Sequence, residues 1–250
     1  MARQAHSLKI TGTIGDVTYL KLNGNYIARK KSSLNADRVA SDPAFKNSRG
    51  ASSEFGKVSQ AGKFFRQSLG AFTSEGSGKR LADSVMELLN SIKNTVDRPT
   101  GERTITAALQ DPEAVKAFEG FEFNQKSRVG RFFGSNDVQL LPGRILMDDF
   151  CPVLMKAPKG ATHIVLSCCA ARLDFEKQTS ALSCSEELLF DAKNTKRVKA
   201  ELSFELPADG PGILLYLLKV TFVIVQGGRV YLSGNSRGNG VVVVRAEKGD

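Results

Sequence analysis

The chain has no tryptophan, only two histidines and only four cysteines in 250 residues. A Ser-His-Asp or Cys-His catalytic set would have to use one of the two histidines. His6 lies in the polar N-terminal tail, and His163 opens an apolar stretch where a strand role is expected. The cysteines form no CxxC pair and no Cys/His cluster, which argues against structural zinc. Cys168 and Cys169 are adjacent and point to opposite faces if their stretch is a strand. Cys151 and Cys184 stand isolated, and all four read as buried free thiols of a reducing compartment.

Long apolar runs are also missing. The longest, residues 213–225, is interrupted by Lys219 and falls short of the roughly 18 residues that a spanning helix needs. The opening residues, MARQAHSLKITGTIGD, turn polar at once and lack a signal-peptide block. The expectation is a cytoplasmic protein without a membrane span.

Nothing matches GxSxG or HExxH. The run Gly76-Ser-Gly-Lys-Arg faintly resembles a phosphate loop. Thr73 stands where the Walker pattern needs glycine, and Arg80 where it needs Ser or Thr, so that reading is rejected. Asp148-Asp149 reads as a solvated turn, and the glycine-rich run 234–240 as a loop before the last strand. The expectation is no enzyme, no metal and no small-molecule cofactor.

What the chain does have is an ordinary globular composition, 41% apolar and 24% charged, with its charge unevenly placed. Residues 1–80 hold 14 Lys and Arg against 5 Asp and Glu, whereas residues 81–250 hold 21 of each. The whole excess of +9 sits in the first third, which suggests contact with a polyanion or an acidic surface.

Residues 8–31 are rich in Thr, Val, Ile and Tyr, with Asn23-Gly24 as a type I′ hairpin signal between VTYLKL and NYIARK. The polar stretch that follows reads as a loop with one helical turn. A helix is expected near 53–69, capped by Ser52 or Ser53, with Phe55, Val58, Phe65 and Leu69 on its apolar stripe. A glycine-rich break at 70–78 precedes a second helix at 79–97, on which Leu81, Val85, Leu88, Ile92 and Val96 recur at helical spacing. A short segment at 104–109 comes next, then a helix capped by Asp111 with Pro112 in its first turn. Strands are expected at 138–141, 144–147, 163–173, within 178–190, and at 197–206, 212–226, 229–233 and 241–246, with a Gly227-Gly228 turn. The predicted class is α+β. It comprises a basic β-hairpin and arm (1–52), a small helical subdomain (53–136) and an antiparallel β-sandwich (137–250).

Eight cations form the candidate binding set: Arg29, Lys30, Lys31, Arg38, Arg49, Lys57, Lys63 and Arg66. Their Ser/Asn-rich background suits phosphate contact. Tyr19, Tyr26, Phe45, Phe64 and Phe65 are candidates for base stacking, although core packing competes for them. No helix-turn-helix, zinc-finger, RRM or KH signature accompanies them.

The strings ITGTIGDVTYLKLNGNYIARKKSSLNADRVASDPAF, SEFGKVSQAGKFFRQSL and APKGATHIVLSCCAARLDFE resemble a family of uncharacterised proteins common in Bacteroidetes genomes. The resemblance covers most of the chain and implies a bacterial, phage-like or mobile-element origin. It brings no activity or site residue with it. The leading expectation is a self-assembling structural protein, a tube, filament or shell subunit whose N-terminal arm contacts other copies of the chain. The alternative is a nucleic-acid-binding or packaging protein, indifferent to base sequence, that acts through residues 29–66.

Overall fold

The structure is a computed structural model that describes residues 2–5, 8–31, 36–127, 129–134, 138–233 and 238–249. The chain divides into two compact units, Met1–Ala51 and Ser52–Asp250.

The first unit is built on the expected hairpin, β3 (Val17–Leu22) and β4 (Asn25–Lys30). Asn23 and Gly24 both take positive φ, 49° and 81°, which is what a type I′ turn needs. Two short strands extend it on either side. They are β1 (Ala2–Arg3) against β4, and β2 (Gly12–Ile14) against β3 across a turn at Gly15-Asp16, giving the order β1-β4-β3-β2. The polar stretch after the hairpin is more helical than its composition suggests. It forms α1 (Ala36–Ser41), then a 3-10 turn at Pro43–Phe45 whose first free N–H, that of Ala44, donates to the Asp42 carboxylate. None of the described residues in this unit before Ala51 is buried.

Helix α2 (Lys46–Thr73) runs across the boundary and is longer at both ends than expected. Ser52 and Ser53 are mid-helix rather than caps, and Gly70 does not break it, because Leu69 and Phe72 on either side are buried. The apolar stripe through Val58, Phe65, Leu69 and Phe72 passes through Glu54, while Phe55 lies about 100° round and is 62% exposed. Helix α3 (Leu81–Asn94) follows, then α4 (Ile105–Ala108), capped by Thr104, and α5 (Pro112–Lys116), whose cap Asp111 accepts from the Glu113 N–H.

After α6 (Val129–Gly134), two sheets complete the second unit. The smaller has β10 (Val198–Ser203) and β5 (Gln139–Leu141) on either side of β6 (Arg144–Phe150). The larger is centred on β7 (His163–Asp174) paired with β11 (Ile213–Gln226). β8 (Thr179–Cys184) and β9 (Leu188–Asp191) share the outer edge of β7, while β12 (Arg229–Leu232) and β13 (Gly240–Lys248) share that of β11. Every pairing is antiparallel. The class is therefore α+β, as expected.

The central strands are covered on both faces. Ile164, Leu166, Cys168 and Ala170 of β7 pack with Ile145, Met147, Ala200 and Leu202 of the small sheet. The alternate residues Cys169, Ala171 and Leu173 pack with Phe65, Leu69, Val85 and Leu89 of the helices. Burial on both sides is why these strands read as near-continuous apolar runs rather than alternating ones. Helices and strands of residues 53–250 thus share a core, with the Phe65 ring stacked on Phe123 and tilted against Phe118.

Candidate functional site

The eight candidate cations fall in both compact units. Arg29 and Lys30 end β4 opposite Thr18 and Val17, so their side chains leave opposite faces of the sheet. Lys31 follows, its backbone N–H donating to Asp16 O. All three are exposed. Two of the others are engaged locally. The Arg38 guanidinium lies 3.2 Å from the Asp42 carboxylate, and that of Arg49 donates to the carbonyls of Val39 at 2.8 Å and Asp42 at 2.9 Å. Arg49 thereby ties the start of α2 to α1 and the 3-10 turn. In the second unit Lys57 and Lys63 are exposed along α2, and Arg66 is half-buried beside Gly62.

Of the five aromatic candidates, Phe64 and Phe65 are in the core, the Phe64 ring meeting Phe175 edge-on at 5.3 Å. Tyr19, Tyr26 and Phe45 remain half-buried, and the Lys21 ammonium sits 5.4 Å from the Tyr26 ring centre. His163 opens β7 with its Nδ1 2.9 Å from the Thr162 hydroxyl. His6 and residues 234–237 of the glycine-rich run lie outside the described residues. Asp148 and Asp149 are strand residues of β6 rather than a turn, and Arg197 pairs with Asp149 at 3.2 Å. A strand fits here because Phe150, the residue after them, returns to the apolar side.

Sequence reasoning missed the charges that are buried. Glu54 is 2% exposed and receives four hydrogen bonds. They come from the Lys93 ammonium at 2.7 Å, the Gly101 N–H at 2.8 Å, the Arg103 N–H at 3.2 Å and the Arg103 guanidinium at 3.1 Å. Burial pushes this carboxyl up, but the four donors together outweigh burial and hold it at about 2. A lone Glu on an apolar stripe is the signal that could have marked it.

A second buried charge, Lys219, interrupts β11. Its ammonium lies 3.4 Å from the Glu75 carboxylate and 3.9 Å from that of Glu187, and 5.1 Å from the Phe72 ring centre. Ser167 faces it directly on β7.

Two concavities stand out in the second unit. An open groove of about 540 Å³ is lined by Gly130 and Phe133 of α6 and by Val242, Val244 and Arg245 of β13. Nearby, the Glu122 carboxyl packs on Gly130 and is pushed up by burial, offset in part by the Ser127 hydroxyl and by Arg131. A smaller pocket of about 220 Å³, at the start of α3, gathers Lys79, Arg80 and Lys126 with Ser77 and Ser84. Arg80 pairs with Asp83 at 3.2 Å. Among the described residues no group of three or more His, Cys, Asp and Glu is arranged to hold a metal ion.

The fold and these sites define an α+β protein with an antiparallel sheet covered by helices on one face and a smaller sheet on the other. No helix among the described residues is long and apolar enough to cross a membrane. Comparison of the chain with protein-family models, curated proteins and solved structures finds no match.

Proposed function

We propose that the chain is a non-enzymatic structural subunit that assembles with copies of itself through residues 1–51. One observation carries this reading: a four-stranded sheet with apolar side chains on both faces has no buried residue among those described. The register puts Ile14, Val17, Tyr19 and Tyr26 on one face, and Leu20, Leu22 and Ile27 on the other. Ile14 is 64% and Leu22 49% exposed. Such a sheet gains stability only when a face is covered.

Charge argues for what covers it. Residues 1–51 carry nine Lys and Arg against three Asp and Glu, so two such units repel each other. Residues 52–250 carry 23 acidic against 26 basic side chains, close to balance, so the unit meets less repulsion on the second unit of another copy than on its own twin. A contact of that kind is head-to-tail, and it generates rings or filaments.

The test pairs the full chain with its Ile14→Ser/Leu22→Ser variant. Both side chains are exposed, so thermal stability of the second unit should hold while large particles disappear from light scattering. A full chain that forms no particles, and retains a mixed-sequence oligonucleotide with a steep salt dependence, supports nucleic-acid binding instead.

A further inference from the structure

Four free cysteines occupy the second unit, and two of them meet across a strand pair. Cys169 of β7 stands directly opposite Cys184 of β8. The isolation expected for Cys184 does not hold, nor does its burial, since it is exposed whereas Cys151, Cys168 and Cys169 are buried.

The ladder defines the kind of pair. The Ser185 N–H donates to Cys168 O at 2.9 Å, which marks Cys168 and Ser185 as a hydrogen-bonded couple. The next couple along, Cys169 and Cys184, is therefore a non-hydrogen-bonded one. Opposed Cα atoms there approach to about 4.5 Å, with side chains leaning together on one face. That separation is inside the roughly 4.4–6.8 Å range a disulfide tolerates. Cys184 is close enough to act on the Cys169 thiol, whose Sγ donates to Ala170 O at 3.5 Å.

We propose that Cys169 and Cys184 form a reversible redox modification site, closed as an intrachain disulfide by a small-molecule disulfide such as oxidised glutathione. The solvent-facing Cys184 reacts first: its thiolate attacks one sulfur of the oxidant, the oxidant's S–S bond breaks, and one reduced thiol leaves. Cys169 then gives up its proton and attacks the Cys184 sulfur, expelling the second thiol. Two cysteine thiols are oxidised and one disulfide is reduced to two thiols, each leaving thiolate taking up a proton.

Burial, followed by the neighbouring Cys184, pushes the Cys169 thiol well above the ordinary cysteine range. The second step is thus the slow one and accelerates as the pH is raised. Cys168 is one residue away but on the opposite face, within the core between the two sheets, so it does not compete. Closing the bond staples the edge strand β8 to the centre of the large sheet.

The test treats the folded full chain with oxidised glutathione, then denatures it, alkylates the remaining thiols and maps the peptides. The expected product is lighter than the reduced chain by two hydrogen atoms, links the Cys169 and Cys184 peptides, and leaves Cys151 and Cys168 alkylated. Dithiothreitol should restore all four thiols. Cys184→Ser should abolish the link and lower the number of alkylated residues in untreated protein by one. Three results would overturn the proposal. They are a stable glutathione adduct on Cys184 that persists at raised pH with Cys169 still alkylated, a Cys184–Cys184 bond between two chains, and a link that survives Cys184→Ser.

Discussion

Glu54 and Lys93, 39 residues apart in sequence, meet at 2.7 Å with side chains 3% and 9% exposed, and their contact joins α2 to α3. Arg103 closes the cluster from the loop after α3 at 3.1 Å. The carboxylate has a donor for each lone pair that matters, which is the condition under which a buried charge is tolerated.

This arrangement makes stability depend on acid. The folded-state pKa of Glu54, about 2, lies below its ordinary 4.5. A depressed carboxylate stabilises fully above its unfolded pKa and loses that contribution as the pH falls toward the folded one. Denaturant melts should therefore lose roughly 3 kcal/mol between about pH 5 and pH 2 from this group. Glu54→Gln should cost a similar amount, about 3 kcal/mol, at neutral pH by leaving Lys93 without its partner, and should flatten the acid dependence. A variant as stable as the parent would contradict this account of the cluster.

Lys219 makes the opposite case. Its partners Glu75 and Glu187 have side chains 38% and 62% exposed, so they keep their hydration when the lysine is removed. Lys219→Met retains the volume in a largely apolar strand and should be neutral or stabilising by about 1 kcal/mol. Loss of more than about 1 kcal/mol in the same melts would show that the ion pairs matter more than the desolvation they offset.

Much of the fold was legible because its signals are local. Asn23-Gly24, Gly227-Gly228 and the Asp111-Pro112 cap each act through their own φ angles or hydrogen bonds, and each is where expected. The strands of the second unit were found for the same reason, since β-branched runs between turns need no partner to be recognised. What was not legible depends on partners distant in sequence. Glu54 reads as a surface charge until Lys93, Gly101 and Arg103 converge on it. Cys169 and Cys184 read as unrelated until the β7–β8 register sets them opposite. Strands as short as β1 and β2 carry too few residues for a pattern, and α2 hid its first turns because Lys46, Asn47 and Ser48 have no apolar period. Of the candidate cations, Arg49 also clamps the chain locally, which was not legible because nothing in its neighbours' identities reveals two carbonyls turned toward it.

Gly212 tests the packing of the large sheet. It sits at φ +102°, and a Cβ there would lie 2.1 Å from the Leu173 carbonyl oxygen. Gly212→Ala should cost well over about 1 kcal/mol, because backbone strain and a backbone clash add and no flexible side chain can yield. Thermal melts check it. An unchanged midpoint would mean that the start of β11 can shift away from β7.

The central claim is that residues 1–51 hold copies of the chain together. Sedimentation velocity of the full chain over a range of concentrations, in nuclease-treated samples, tests it most directly. The account predicts fast-sedimenting species whose share grows with concentration and which Ile14→Ser/Leu22→Ser converts to monomer without loss of secondary structure. A single monomeric boundary at every concentration would contradict it.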